Sequence, residues 1–172
     1  MPSLPFRGDT PQSFSASPLP SLSEQDELNY DRFDHRVRRI KARTESVAGH
    51  FQVGVYITGR SGTSKTYTVI NTLDDLGANF HCVNCRVSPG GLFDTLKQHP
   101  EDVIVLDDVA TLFGNKQGLQ VLQAALNGTP DEPRTITYTL KGERREPSFE
   151  FSGGIIGVVT FLRTVRPLIL VV

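Results

Sequence analysis

The amino-acid sequence predicts an α/β protein in three layers, α/β/α, with helices on both faces of a mainly parallel sheet. Three observations predict it. Short apolar runs rich in β-branched residues alternate with segments whose apolar residues recur at helical spacing. One run, 103–106, is apolar at every position, as a strand buried on both faces must be. A Gly/Ser loop and a pair of aspartates each follow such a run, which puts both at carboxyl ends of strands, where open α/β sheets bind ligands.

Bulk properties narrow the class further. The length of 172 residues suits one domain, with 38% hydrophobic residues to build a core. A formal net charge of −1 excludes a global field that would drive the chain onto nucleic acid or an acidic membrane, so any such contact must come from a local patch. Cys82 and Cys85 are the only cysteines and the N-terminus carries no secretory apolar run, which predicts a reducing, cytoplasmic setting. The apolar stretch 155–172 is broken by Arg163, Arg166 and Pro167, short of the roughly 20 residues a membrane helix needs, so no membrane contact is expected.

Taken in order, residues 1–28 read as a lead-in, Pro- and Ser-rich over 1–23, that buries too little surface to order itself. Residues 29–50 form an amphipathic helix and linker: Phe33, Val37, Ile40 and Val47 share a face, with Arg36, Arg38, Arg39, Lys41 and Arg43 between them. A core spans 51–162. It opens with a strand at 53–58, a glycine loop, and a helix at Lys65–Leu76 ended by Gly77. A strand at 79–83, a helix at Pro89–Gln98, the buried strand at 103–106 and a helix at Lys116–Leu126 follow. Alternation at 135–140, a charged turn at 141–147 and a return strand at Ser148–Phe151 make a hairpin. Ile155–Thr160 is the last strand, and 163–172 is an atypical tail.

The loop Gly59, Arg60, Ser61, Gly62, Thr63, Ser64, Lys65, Thr66 lies between a strand and a helix. It nearly matches the phosphate-loop pattern G-x-x-x-x-G-K-[ST], whose backbone N–H groups wrap phosphates at a helix start. Ser64 stands where the second glycine is usual, and Gly62 is the expected source of the turn. In this reading Lys65 reaches the β/γ-phosphates and Thr66 ligates Mg²⁺. Asp107, at the end of the apolar strand, is the expected second Mg²⁺ ligand. Asp108 is the expected catalytic residue that orients or deprotonates the attacking water.

With these residues in hand, the chain resembles the AAA+ family of P-loop NTPases over residues 52–160. The resemblance implies a P-loop NTPase core, ATP with Mg²⁺ as ligand, ATP hydrolysis, assembly into homo-oligomeric rings, and conformational work on a protein or nucleic-acid substrate. The hairpin before Ile155–Thr160 is similar to a pre-sensor hairpin, and Lys141, Arg144 and Arg145 near its tip are the expected substrate contacts. Three departures stand out. The catalytic acid is Asp108 rather than Glu, the sensor strand offers only Thr160 as a polar end, and the helical lid is missing before Val172. A nucleotide-binding module with little hydrolysis, and a P-loop kinase, are the alternative functions. One hypothesis for the ending is a shifted frame: read two bases later, the codons of 158–162 can encode Ser-Asn-Leu-Pro, so the tail would be out-of-frame sequence.

Two further features stay open at this level. His81, Cys82, Cys85 and His99 could form a metal or redox site, although structural zinc wants four ligands; ordinary strand-end thiols are the other reading. The basic stretch 36–43 could meet nucleic acid or a neighbouring subunit, or be a solvated face offset by Asp26, Glu27, Asp31 and Asp34. A ring ATPase also needs a trans-acting arginine, for which Arg134, Arg144, Arg145, Arg163 and Arg166 all stand as candidates.

Overall fold

Every side chain from Val103 to Leu106 is buried, so the strand they form has to lie inside a sheet covered on both faces. The computed structural model, which describes residues 23–84, 87–108, 112, 115–138 and 147–160, has that arrangement. Its elements are α1 (Glu24–Ala48), β1 (Gly54–Gly59), α2 (Lys65–Leu76), β2 (Phe80–Asn84), α3 (Pro89–Gln98), β3 (Val103–Asp107), α4 (Lys116–Leu126), β4 (Arg134–Thr137), β5 (Ser148–Phe151) and β6 (Ile155–Thr160). Four strands make a parallel sheet in the order β1-β6-β3-β2, and β4 and β5 pair antiparallel as a separate hairpin.

Strand side chains alternate between faces, and the two faces fill separately. Ile104, Leu106, Ile155 and Val159 pack with Leu92, Leu96, Leu122 and Phe151, from α3, α4 and the hairpin. Val103, Val105, Ile156 and Val158 pack with Val47, Val69 and Leu73, from α1 and α2. Burying a branched apolar side chain is worth about 1.5–3 kcal/mol, so these two clusters are what hold the sheet between its helices. The C-terminal end of α1 lies against the amino edge of the sheet. A Cβ on Gly154 would stand 2.4 Å from Val47 Cγ1, so only glycine permits this approach.

Local chemistry sets the helix boundaries. Ser88 caps α3 by accepting from the Gly91 N–H, with Pro89 at its first position; Asn115 caps α4 through the Gln117 and Gly118 N–H groups. Gly77 ends α2 in the left-handed region at φ 62°. The start of α1 differs from the periodicity-based expectation. Ser23 and Asp26 form a reciprocal capping box, which carries the helix back to Glu24, into the segment expected to be a lead-in. Residues 24–33 are nonetheless all exposed, because nothing packs against this part of the helix. β1 and β2 each begin one residue later than expected, and most of the charged turn, including Lys141, Arg144 and Arg145, lies outside the described residues.

Arg134 ties the hairpin to the sheet. It is buried, stacks over the Phe151 ring at 5.1 Å, donates from Nε to the Phe151 carbonyl at 3.2 Å, and donates from Nη2 to the Gly153 carbonyl. Burial holds its guanidinium below the ordinary arginine range. Arg134 is therefore a structural residue and drops out as a trans-acting arginine, which must project toward a neighbour. Among the described residues no helix is long and apolar enough to cross a membrane.

Candidate functional site

The carboxyl ends of β1, β6 and β3 lie side by side, since Gly59 registers with Thr160 and Asp107 with Val158. Three chain segments distant in sequence thus converge on one edge. A cavity of about 410 Å³ opens there, lined by residues 61–67 together with Asp107, Asp108 and Thr160. Of the sequence-predicted residues, Ser61 to Thr66, Asp107 and Asp108 line it directly. Gly59 ends β1, and Gly59 and Arg60 contribute backbone carbonyls to the loop beneath.

The loop closes on itself before it reaches the helix. The Thr63 hydroxyl donates to the Arg60 carbonyl at 2.8 Å. Gly62 is left-handed at φ 74°, as expected of the residue that supplies the turn, and Ser64 is left-handed as well, at φ 55°. Ser64 occupies the helix N-cap without making a side-chain cap bond. The N–H groups that begin any helix lack intrahelical partners, and here they meet the cavity without a side-chain cap. They carry the positive end of the helix dipole.

Lys65 and Thr66 begin α2 and diverge. The Lys65 ammonium curls back onto the loop, donating to the Gly59 carbonyl at 3.1 Å and to the Arg60 carbonyl at 2.7 Å. Burial lowers its pKa from 10.5, and the nearby Asp107 carboxylate partly opposes that shift. The Thr66 hydroxyl donates to Asp107 Oδ1 at 3.0 Å, a contact between residues 41 apart in the chain. A hydroxyl oxygen and a carboxylate oxygen therefore meet on the cavity wall, and both are hard donors of the kind Mg²⁺ takes.

Asp108 follows β3 at φ 60°, anchored by its N–H donating to the Val158 carbonyl at 2.8 Å, with an exposed side chain. Aspartate tolerates the left-handed region better than most residues. β6 lies between β1 and β3 and brings Thr160 to the cavity as well. Tyr67, mostly exposed on the first turn of α2, also lines it. Sequence reasoning passed over Tyr67; its position directly after the Lys65-Thr66 pair was the available signal.

The cysteine and histidine segment builds something else. His81 and His99 stack at 4.3 Å, and His99 Nδ1 is 2.8 Å from Asp102 Oδ2, so the rings are turned to each other and to Asp102. Cys82 is exposed on β2, with its thiol raised by burial first and then by Asp107 and Asp74; Cys85 lies outside the described residues. Among the described residues no group of three or more His, Cys, Asp or Glu is arranged to hold a metal ion. In comparisons with known proteins, no family model and no curated protein matches the chain.

Proposed function

We propose that the carboxyl-edge cavity takes ATP with Mg²⁺, and that the chain is a P-loop ATPase of the AAA+ type. One observation carries the reading: the Thr66 hydroxyl and the Asp107 carboxylate meet at 3.0 Å beside Lys65, at the start of the helix that follows the glycine loop. A loop-and-helix start alone suits many anions. A hydroxyl paired with a strand-end carboxylate beside a lysine suits a metal-bound polyphosphate.

Each residue then has a task. The uncapped N–H groups at the start of α2 hold phosphate oxygens along the helix dipole. Lys65 exchanges its two loop carbonyls for phosphate oxygens, a substitution of neutral acceptors by anionic ones that strengthens its hydrogen bonds. Thr66 and Asp107 would supply the protein oxygens that hold Mg²⁺. When bound, that ion would offset the charge of the polyphosphate. Asp108 orients the attacking water and accepts its proton. Its exposed carboxylate is one methylene shorter than the Glu usual in the family, which favours a second reading, a nucleotide-binding module with little or no hydrolysis. The same resemblance carries ring assembly and work on a macromolecular substrate.

Calorimetric titration with ATP·Mg²⁺ tests the site. Lys65→Ala is expected to weaken binding at least tenfold, about 1.4 kcal/mol; unchanged affinity would remove the loop from the site. Asp108→Asn is expected to bind ATP normally and lose multiple-turnover phosphate release. Wild-type protein that binds but releases no phosphate would favour the second reading, whereas ADP formed only with an added small acceptor would favour a kinase.

A further inference from the structure

Four arginines of α1 line up along one face of the helix. Arg32, Arg36, Arg39 and Arg43 follow one another at steps of four, three and four residues, and all four are exposed. At 100° per residue they fall within about 60° of arc and span about 16 Å of helix length. Glu24, Glu27, Asp31 and Asp34 cluster about 130° away by the same geometry. Of the acidic residues that the sequence offered as offsetting the basic stretch, Glu27, Asp31 and Asp34 lie in that cluster, which also holds Arg38, and Asp26 lies about 110° from the row in the other direction. Among the described residues the one ion pair of α1 joins Arg38 to Asp34, and neither belongs to the row. Arg43 reaches only the Gln52 amide oxygen, at 3.5 Å. Asp31 is the one carboxylate beside the row, at the rim of a shallow groove that it shares with Arg32, Arg36 and Arg39.

We propose that this arginine row is a binding surface for the phosphodiester backbone of a nucleic acid. Four guanidiniums without carboxylate partners face solvent in a straight line, and each can grip a phosphate through two parallel N–H donors. With phosphates advancing about 3.4 Å along each strand of a duplex, a row of about 16 Å matches roughly five of them. Pairing with a second copy of α1 fits less well. At its C-terminal end the apolar stripe that would form the seam is used by the protein's own core at Thr44 and Val47, and the exposed Leu28, Tyr30 and Phe33 spread over about 200° of the helix rather than forming one stripe. The surface is distinct from the proposed nucleotide cavity, none of whose lining residues belongs to α1.

Fluorescence anisotropy of the full chain with a labelled 20-nucleotide single strand, and with the corresponding duplex, tests the proposal across a salt series. Four phosphate contacts predict a log–log salt slope near −3, from about −0.7 to −0.9 per contact. The double variant R36Q/R39Q is expected to reduce the slope by about 1.6 on that scale. A charge-matched control, K97Q/K116Q, removes two exposed cations elsewhere and is expected to leave it unchanged. ATP·Mg²⁺ affinity, read separately, should be the same in wild type and R36Q/R39Q, so failure of the nucleotide reading is told apart from failure here. Equal effects of the two double variants, binding untouched by R36Q/R39Q, or no oligonucleotide binding at low salt would overturn the proposal. So would a change in sedimentation by R36Q/R39Q without a change in oligonucleotide affinity.

Discussion

At Ser64 the chain adopts φ 55° and ψ 22°, a conformation that costs a side-chain-bearing residue about 1 kcal/mol or more. Its hydroxyl makes no cap bond in return. Ser64→Gly removes that strain but gives the unfolded chain more freedom, so a net gain of about 0.5 kcal/mol is expected in thermal or urea unfolding. Ser64→Ala should be nearly neutral. Lys65, next in line, has its proton loosened by burial. A polyphosphate binds the protonated amine, so ATP affinity is expected to fall as pH rises through the depressed lysine pKa, below the ordinary 10.5. Binding should take up a proton in that window. Lys65→Arg, which stays charged, should flatten the alkaline fall; an identical profile in that variant would show that another group titrates. The types and spacing of Lys65, Thr66 and Asp107 were legible in the sequence because phosphate and Mg²⁺ chemistry needs few residue kinds. The left-handed Ser64, the retracted Lys65 and the contribution of Tyr67 were not, since backbone sign and side-chain direction depend on what surrounds the loop.

Among elements, the helices of the core were the most readable, because Pro89 after Ser88, Asn115 before Lys116 and Gly77 after Leu76 are boundary signals carried by single residues. α1 was read short, since its capping box uses Asp26 where Glu or Gln is the usual signal and its first ten residues bury nothing. The hairpin was legible as two strands, but its attachment was not. Arg134 looked like one of several surface arginines, yet its guanidinium joins the β5 end to the entrance of β6 from inside the core. Arg134→Ala is expected to destabilise by about 3 kcal/mol, from two lost charge-assisted bonds and the space left behind. Arg134→Lys should recover little, because a single ammonium cannot reproduce the planar fork. Chemical denaturation of the three proteins measures both, and a loss under 1 kcal/mol in Arg134→Ala would leave the hairpin held by other contacts.

For the whole molecule, the pattern of apolar runs and helical stripes determined an α/β class with helices on both faces, since each run has to bury its apolar side against something. It also placed the glycine loop and the aspartate pair at the ends of strands. Strand order was beyond it: four parallel strands can be arranged in several orders with the same apolar pattern. The tertiary structure alone decided that β6 lies between β1 and β3, which brings Thr160 to the cavity with Asp107 and Asp108. It alone joined Thr66 to Asp107 across 41 residues and buried Arg134. Local pattern constrains the kind of neighbour a residue needs, whereas packing of distant segments selects which neighbour it gets.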